Sequence, residues 1–213
     1  MKKTVEEHAE RFSEKAAEYD DSKSDEYYAC ADLVIDSADP GPDDVVLDLG
    51  AGTGAIALAL APDAERVIAR DISEGMMDEG RRKAEERGLS NVEFAYGEFR
   101  APEIDEDQRV DVVTSNFALH HLGDDEKREA IRVMTETGVR RIVLGDVAFF
   151  EEPDPDAPFY GPAVDDPATV GTLVEAFTAE GFAVTGVERV HDQVAVIVAE
   201  QFGDRNETDG SAE

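Results

Sequence analysis

Near the start of the chain, apolar residues recur at alternating spacings of four and three: Val5, Ala9, Phe12, Ala16 and Tyr19. That period puts them on one stripe of a helix over residues 4–19. A second stripe, Tyr27, Ala31, Val34 and Ala38, predicts a helix over 24–38. Asp39-Pro40-Gly41-Pro42 stops it. The pattern then shortens to continuous apolar runs: Val45–Leu49, Val67–Ala69, Val92–Ala95, Val110–Ser115 and Arg141–Leu144. Helical stretches such as Glu74–Arg87 and Asp125–Thr135 lie between most of them. Strand alternating with helix predicts βαβ units and a parallel sheet.

The chain ends differently. Phe182–Val190 and Gln193–Gln201 read as two strands with only His191 and Asp192 between them. A connection that short requires an antiparallel hairpin. In the last strand Val194, Val196 and Val198 share one face, and Ala195, Ile197 and Ala199 the other. Both faces are apolar, so this strand is expected inside the sheet rather than at its edge. The pattern divides the chain into an N-terminal helical cap (1–39), a main α/β domain (40–203) and an acidic, disordered tail (204–213). The stretch Phe149–Pro167 combines several prolines with Phe149, Phe150, Phe159 and Tyr160. It follows the fifth strand, at the end of the sheet where α/β proteins hold ligands. Two readings stand: a substrate lid, or a connecting loop with its aromatics packed down.

Charge changes the picture. The chain of 213 residues carries 51 acidic and 20 basic side chains, a net charge of −31, yet 41% of residues are hydrophobic. It therefore has enough apolar material to fold and is not a disordered acidic chain. Such a charge repels itself in dilute buffer and is screened in molar salt, where the Debye length falls to roughly 3 Å. The acid-rich, lysine-poor balance matches a salt-loving archaeal protein; the plainer alternative is an ordinary acidic surface. The sign of the charge argues against a nucleic-acid partner. The single cysteine, Cys30, excludes an intrachain disulfide and is expected in the core. With no signal peptide or spanning segment, a cytoplasmic location away from membranes is expected.

Candidate chemistry centres on VVLDLGAGTGAIALALA, from Val45 to Ala61. A strand, an acid (Asp48), glycines at 50, 52 and 54 and then a helix bring backbone N–H groups close to a nucleotide-like cofactor. Gly50-x-Gly52-x-x-Ala55 fits the dinucleotide fingerprint, and Asp71 follows at about the expected twenty residues, so an NAD-dependent oxidoreductase is one reading. The sequence Asp48-Leu49-Gly50-Ala51-Gly52-Thr53-Gly54 also resembles the first motif of class I S-adenosylmethionine-dependent methyltransferases. RVIARDISEGMM (Arg66–Met77), NVEFAYGEF (Asn91–Phe99) and DVVTSNFALHHL (Asp111–Leu122) resemble that family's next three motifs, in register. Over residues 10–200 the chain is most similar to the UbiE-like, small-molecule branch.

The resemblance implies a Rossmann-like three-layer α/β sandwich. Its mostly parallel, seven-stranded sheet would be closed by the antiparallel C-terminal hairpin and preceded by the N-terminal helices. It implies methyl transfer from S-adenosylmethionine to a small-molecule acceptor by in-line displacement. Gly50 and Gly52 would let the backbone approach the cofactor, with Thr53 offering a hydroxyl. Asp48, acceptor-only when ionised, would face the cationic methionine end. Asp71 would accept from the ribose hydroxyls, Ile72 and Met76 flank the adenine, and Glu98 and Phe99 bind its edge. Asn116 and Phe117 would lie beside the reactive methyl, and Tyr19 would close from the N-terminal helix. A non-catalytic cofactor-binding protein of the same fold is a third reading.

No catalytic residue is assigned. His120 and His121 are candidate bases, but adjacent residues point in different directions, so at most one is expected to face the site. The alternative is that both buttress the loop. Four scattered histidines and one cysteine offer no metal-ligand spacing. The chain departs from the family pattern where Thr135–Val139 replaces the usual Pro-Gly-Gly turn. Ser115-Asn116-Phe117 stands where methyltransferases of DNA bases or glutamine carry Asn-Pro-Pro-Tyr, which argues against those substrates.

Overall fold

The computed structural model describes residues 4–105, 107–151, 159–161 and 164–201. Its strands are β1 (Val45–Leu49), β2 (Arg66–Asp71), β3 (Val92–Tyr96), β4 (Val112–Asn116), β5 (Arg141–Phe149), β6 (Ala168–Thr169), β7 (Ala183–His191) and β8 (Val194–Glu200). The sheet order is β3-β2-β1-β4-β5-β8-β7, with β6 added beside the far end of β5. All neighbours are parallel except β5–β8 and β7–β8. The seven expected strands form. The eighth, β6, is two residues long, too short to leave an alternation in the sequence.

The helices are α1 (Val5–Lys15), α2 (Asp25–Ala38), α3 (Ala55–Leu60), α4 (Glu74–Glu86), α5 (Asp124–Glu136) and α6 (Val170–Ala179). One apolar layer joins α2, α3 and α4 to the sheet through Val34, Leu58, Met77, Val46, Val143 and Val196. The other joins α5 and α6 through Ile131, Met134, Phe177, Leu47, Leu144 and Ile197. Alternate residues of β1, β5 and β8 face opposite layers, as the period of two in a strand requires. β8 is inside the sheet, and Cys30 is fully buried.

Boundaries shift where tertiary contacts outweigh pattern. The first helix ends as α at Lys15, and its stripe continues through short 3-10 turns at Ala16–Glu18 and Asp20–Ser22. β5 extends five residues past the expected Leu144, because β8 and β6 supply pairing partners to its end. The hairpin turn slips by one residue, to Asp192-Gln193, beside a register shift at Arg189/His191. Helix α6 was not expected from the pattern.

In the described part of Phe149–Pro167 the aromatics pack down. Phe149 is buried with Tyr160 at 5.5 Å, and Phe159 lies on Phe117 and His191. The acidic tail and residues 152–158 and 162–163 lie outside the described residues.

Candidate functional site

The carboxyl ends of β1, β2 and β4 open into one cavity, roofed by α1 and the start of α2. It is lined by Tyr19, Asp48, Gly50, Gly52, Thr53, Asp71, Ile72, Met76, Glu98, Phe99, Asn116 and Phe117. All twelve residues named from the sequence therefore share one space. His121, one of the two candidate bases, also lines it, while Val5, His8 and Phe12 from α1, Tyr27 from α2, Arg100, Leu122 and Glu126 were not anticipated. Phe12 and Tyr27 were legible as helix-stripe positions, but their stripe gave no sign of facing a cavity.

The glycine turn sets the floor. Gly52 has φ +55°, and a Cβ built there meets nothing within 4 Å, so its missing side chain leaves ligand space rather than relieving a protein contact. Its N–H donates to Asp71 Oδ2 at 2.8 Å, while the Ser73 N–H donates to Oδ1 at 2.8 Å. Ser73 is also the N-cap of α4, so cap and carboxylate are built together. Burial pushes the Asp71 carboxyl above its ordinary range despite these donors. Asp71 also lines the cavity.

Asp48 is buried. Its Oδ1 accepts from Thr114 Oγ1 at 2.9 Å, and Oδ2 has no hydrogen-bond partner. Burial raises its carboxyl to about 7 against the help of Thr114. An unpartnered carboxylate oxygen at the end of β1 suits a cationic ligand group. Thr53 is less free than expected, since its hydroxyl donates to Asp20 Oδ1 at 2.7 Å. Glu98 Oε1 accepts from the Tyr96 hydroxyl at 2.6 Å. Phe117 takes φ +54°, rare for a residue with a Cβ, and its N–H donates to Gly145 O at 2.8 Å. Strain of this kind is tolerated where the surroundings fix the backbone.

Above the turn, Lys23 Nζ lies 3.3 Å from the centre of the Tyr19 ring and 4.2 Å from that of Tyr27. Burial lowers this amine to about 7 and raises the Tyr19 phenol to about 12. The two histidines separate as expected. His120 is buried, taking Asp146 Oδ2 with its backbone N–H (2.9 Å) and Oδ1 with its ring Nδ1 (2.5 Å). His121 lines the cavity, with Nδ1 2.8 Å from Asp165 Oδ1. Three of the four scattered histidines come together in space. His8 and His121 rings are 5.1 Å apart and His120 and His121 rings 4.1 Å. Ligand atoms of His120, His121 and Asp165 lie within 4.8 Å of one another.

The arrangement is that of a cofactor pocket at the carboxyl end of an open α/β sheet. Residues 46–138 match the family model described as "Methyltransferase domain". The uncharacterized methyltransferase YcgJ of Bacillus subtilis is 33% identical over 144 residues, covering 67% of this chain and 56% of that protein. The demethylmenaquinone methyltransferase of Clavibacter sepedonicus is 39% identical over 101 residues, covering 46% and 39%. The chain thus spans about half the length of these curated relatives. Among solved structures, the DhpI–SAH complex superposes with a TM-score of 0.72 at 25% identity, covering 94% of this chain and 98% of that one. With the sheet order and the antiparallel closing hairpin, these findings make the chain similar to class I S-adenosylmethionine-dependent methyltransferases, with a methyltransferase-domain match over residues 46–138.

Proposed function

We propose that this protein methylates a small molecule with S-adenosylmethionine, by in-line displacement. The observation that carries the reading is the convergence of the twelve residues on one cavity, with open space over Gly52 and the unpartnered Asp48 Oδ2 at its floor. When bound, the cofactor supplies a methyl group activated by a sulfonium. In this reading Asp48 faces the cationic methionine end, Asp71 accepts from the ribose hydroxyls, and Ile72, Met76, Glu98 and Phe99 surround the adenine. Asn116 and Phe117 border the transfer point, and Tyr19 closes the roof. Gly50, Gly52 and Thr53 form the floor. Positioning a nucleophile in line and excluding water supplies most of the acceleration.

The aromatic lining from Phe12, Tyr27 and Phe117 supports a small apolar acceptor. The similarity to a demethylmenaquinone methyltransferase supports the UbiE-like branch. We further infer a cytoplasmic protein of a halophile, from the charge of −31. Among the described residues no helix is long and apolar enough to cross a membrane. In this reading residues 1–39 cap a cofactor-binding domain of residues 40–203, and 204–213 are a tail. Calorimetry in molar KCl tests the central claim. S-adenosylmethionine and S-adenosylhomocysteine are expected to bind and NAD not to; binding of NAD alone overturns it.

A further inference from the structure

The Leu119–His121 turn carries two imidazoles with different employment. His120 is buried and outside the cavity lining, and its backbone N–H and ring Nδ1 both meet Asp146, which fixes the turn to β5. His121 turns into the cavity, its ring 5.4 Å from Phe12 and 5.1 Å from His8, both on α1. Its Nδ1 is held by Asp165 at 2.8 Å. Asp165 is fixed in turn, since its Oδ2 accepts from the Gly161 N–H at 2.7 Å. The next residue is tied down as well. Asp166 N–H donates to His120 O at 2.7 Å, and the buried Lys127 Nζ donates to Asp166 O. The carboxylate is therefore fixed from its own loop and from the histidine turn. A ring that donates Nδ1–H to a carboxylate keeps its basic lone pair on Nε2.

We propose that His121 is the general base for methyl transfer, positioned by Asp165, and that the acceptor is an O–H acid on a flat apolar body. This deepens the methyl-transfer reading and rests on it. A free amine attacks without losing a proton first, and a thiol ionises near 8.5 unaided. A phenolic hydroxyl, near 10, stays protonated at neutral pH and must lose its proton as it attacks, so it gains from a base. In the step, the acceptor O–H gives its proton to His121 Nε2 as its oxygen attacks the methyl carbon. The O–CH3 bond forms, the S–CH3 bond breaks with its electron pair left on sulfur, and the proton passes to solvent. Burial keeps the imidazole below its ordinary range and so in its basic form at neutral pH. The charged and titratable groups around it include Asp165 from the loop, His120 from the turn, Asp146 from β5, His8 from α1, and Glu126 from α5 with its ion-pair partner Arg100.

Three measurements on the full chain in molar KCl test the dyad. Long-range 1H–15N NMR should show His121 as the Nδ1–H tautomer, neutral at pH 7. D165N should lower its pKa further, because a negative partner is lost. Methylation of 4-methylphenol, largely protonated at pH 8, should fall by about 100-fold or more in H121Q. Methylation of 4-nitrophenol, largely ionised there, should fall far less. Equal losses on both phenols, an Nε2–H tautomer, or a wild type that binds S-adenosylhomocysteine yet methylates neither phenol would each overturn the proposal. So would activity abolished by EDTA and restored by Zn2+, which would make the cluster a metal site. Failure of the wild type to bind S-adenosylhomocysteine would instead remove the methyl-transfer reading, and the assignment of His121 as its base with it.

Discussion

Asp48 predicts a pH dependence for ligand binding at the site. Its carboxyl is lifted from 3.8 to about 7 by burial. The folded protein therefore holds this proton more tightly than the unfolded chain does. That contribution to stability is present below pH 4 and is lost as pH rises through 7. A cationic ligand group favours the ionised form, so affinity for S-adenosylhomocysteine should climb between about pH 6 and 8 and then level. Lys23, also near 7, loses its charge over the same window and in the same sense. D48N separates the two: calorimetry should show weaker binding, with only the Lys23 part of the slope left. An unchanged slope in D48N would remove Asp48 from the account. Gly52 makes the companion test. Alanine at φ +55° costs about 1–2 kcal/mol, and its methyl enters ligand space without touching protein. G52A should melt only a few degrees lower yet bind S-adenosylhomocysteine at least about tenfold more weakly, a loss of roughly 1.4 kcal/mol. Melting and calorimetry on the same sample decide it. At this scale the proposed cofactor residues other than Tyr19 were legible, because they sit at strand ends or at short offsets from them. Phe12 and Tyr27 were not assigned to the site, since their place depends on where α1 and α2 dock, and which of His120 and His121 faces it was left open.

Helix α1 reaches the cavity by a close approach to α4. A Cβ on Gly75 would stand 2.9 Å from Ser13 Cα, and Ser13 Oγ is 2.9 Å from Ser73 Oγ. The Thr4–Glu7 capping box starts the helix, but packing on α4 sets where it lies. G75A should lift α1 while leaving the sheet intact. Hydrogen exchange would then speed up over residues 5–15, with β1 and β4 unchanged. Unchanged exchange in α1 would show that the contact does not hold it. The loop after β5 depends on Lys127, whose Nζ donates to Leu122 O at 2.6 Å and to Asp166 O. Burial lowers the pKa of this amine. The strands were readable as apolar runs and the hairpin from its short turn. β6 and the carboxyl end of β5 were not, because pairing partners rather than residue preference define them.

Across the whole molecule, net charge sets the conditions under which the chain stays folded. A net −31 on 213 residues stores self-repulsion that salt removes. The melting temperature should rise steeply between about 0.1 M and 2 M KCl, and dialysis to dilute buffer should unfold the chain. Full stability in dilute buffer, followed by circular dichroism, would refute the halophile reading. The exposed Arg81 and Arg82 pairs with neighbouring carboxylates contribute little to offset the excess, since such surface pairs are worth about 0–1 kcal/mol each. By itself the sequence determined the alternation of strand and helix, the buried last strand, the glycine turn and the acids that end β1 and β2. These are local, set by side-chain period and backbone freedom over a few residues. Only the tertiary structure decided that α1 and α2 roof the cavity, that His121 rather than His120 faces it, and that Asp165 reaches it from 44 residues away. Those outcomes depend on the docking of separate elements, and docking energy comes from surfaces that no short window of sequence contains.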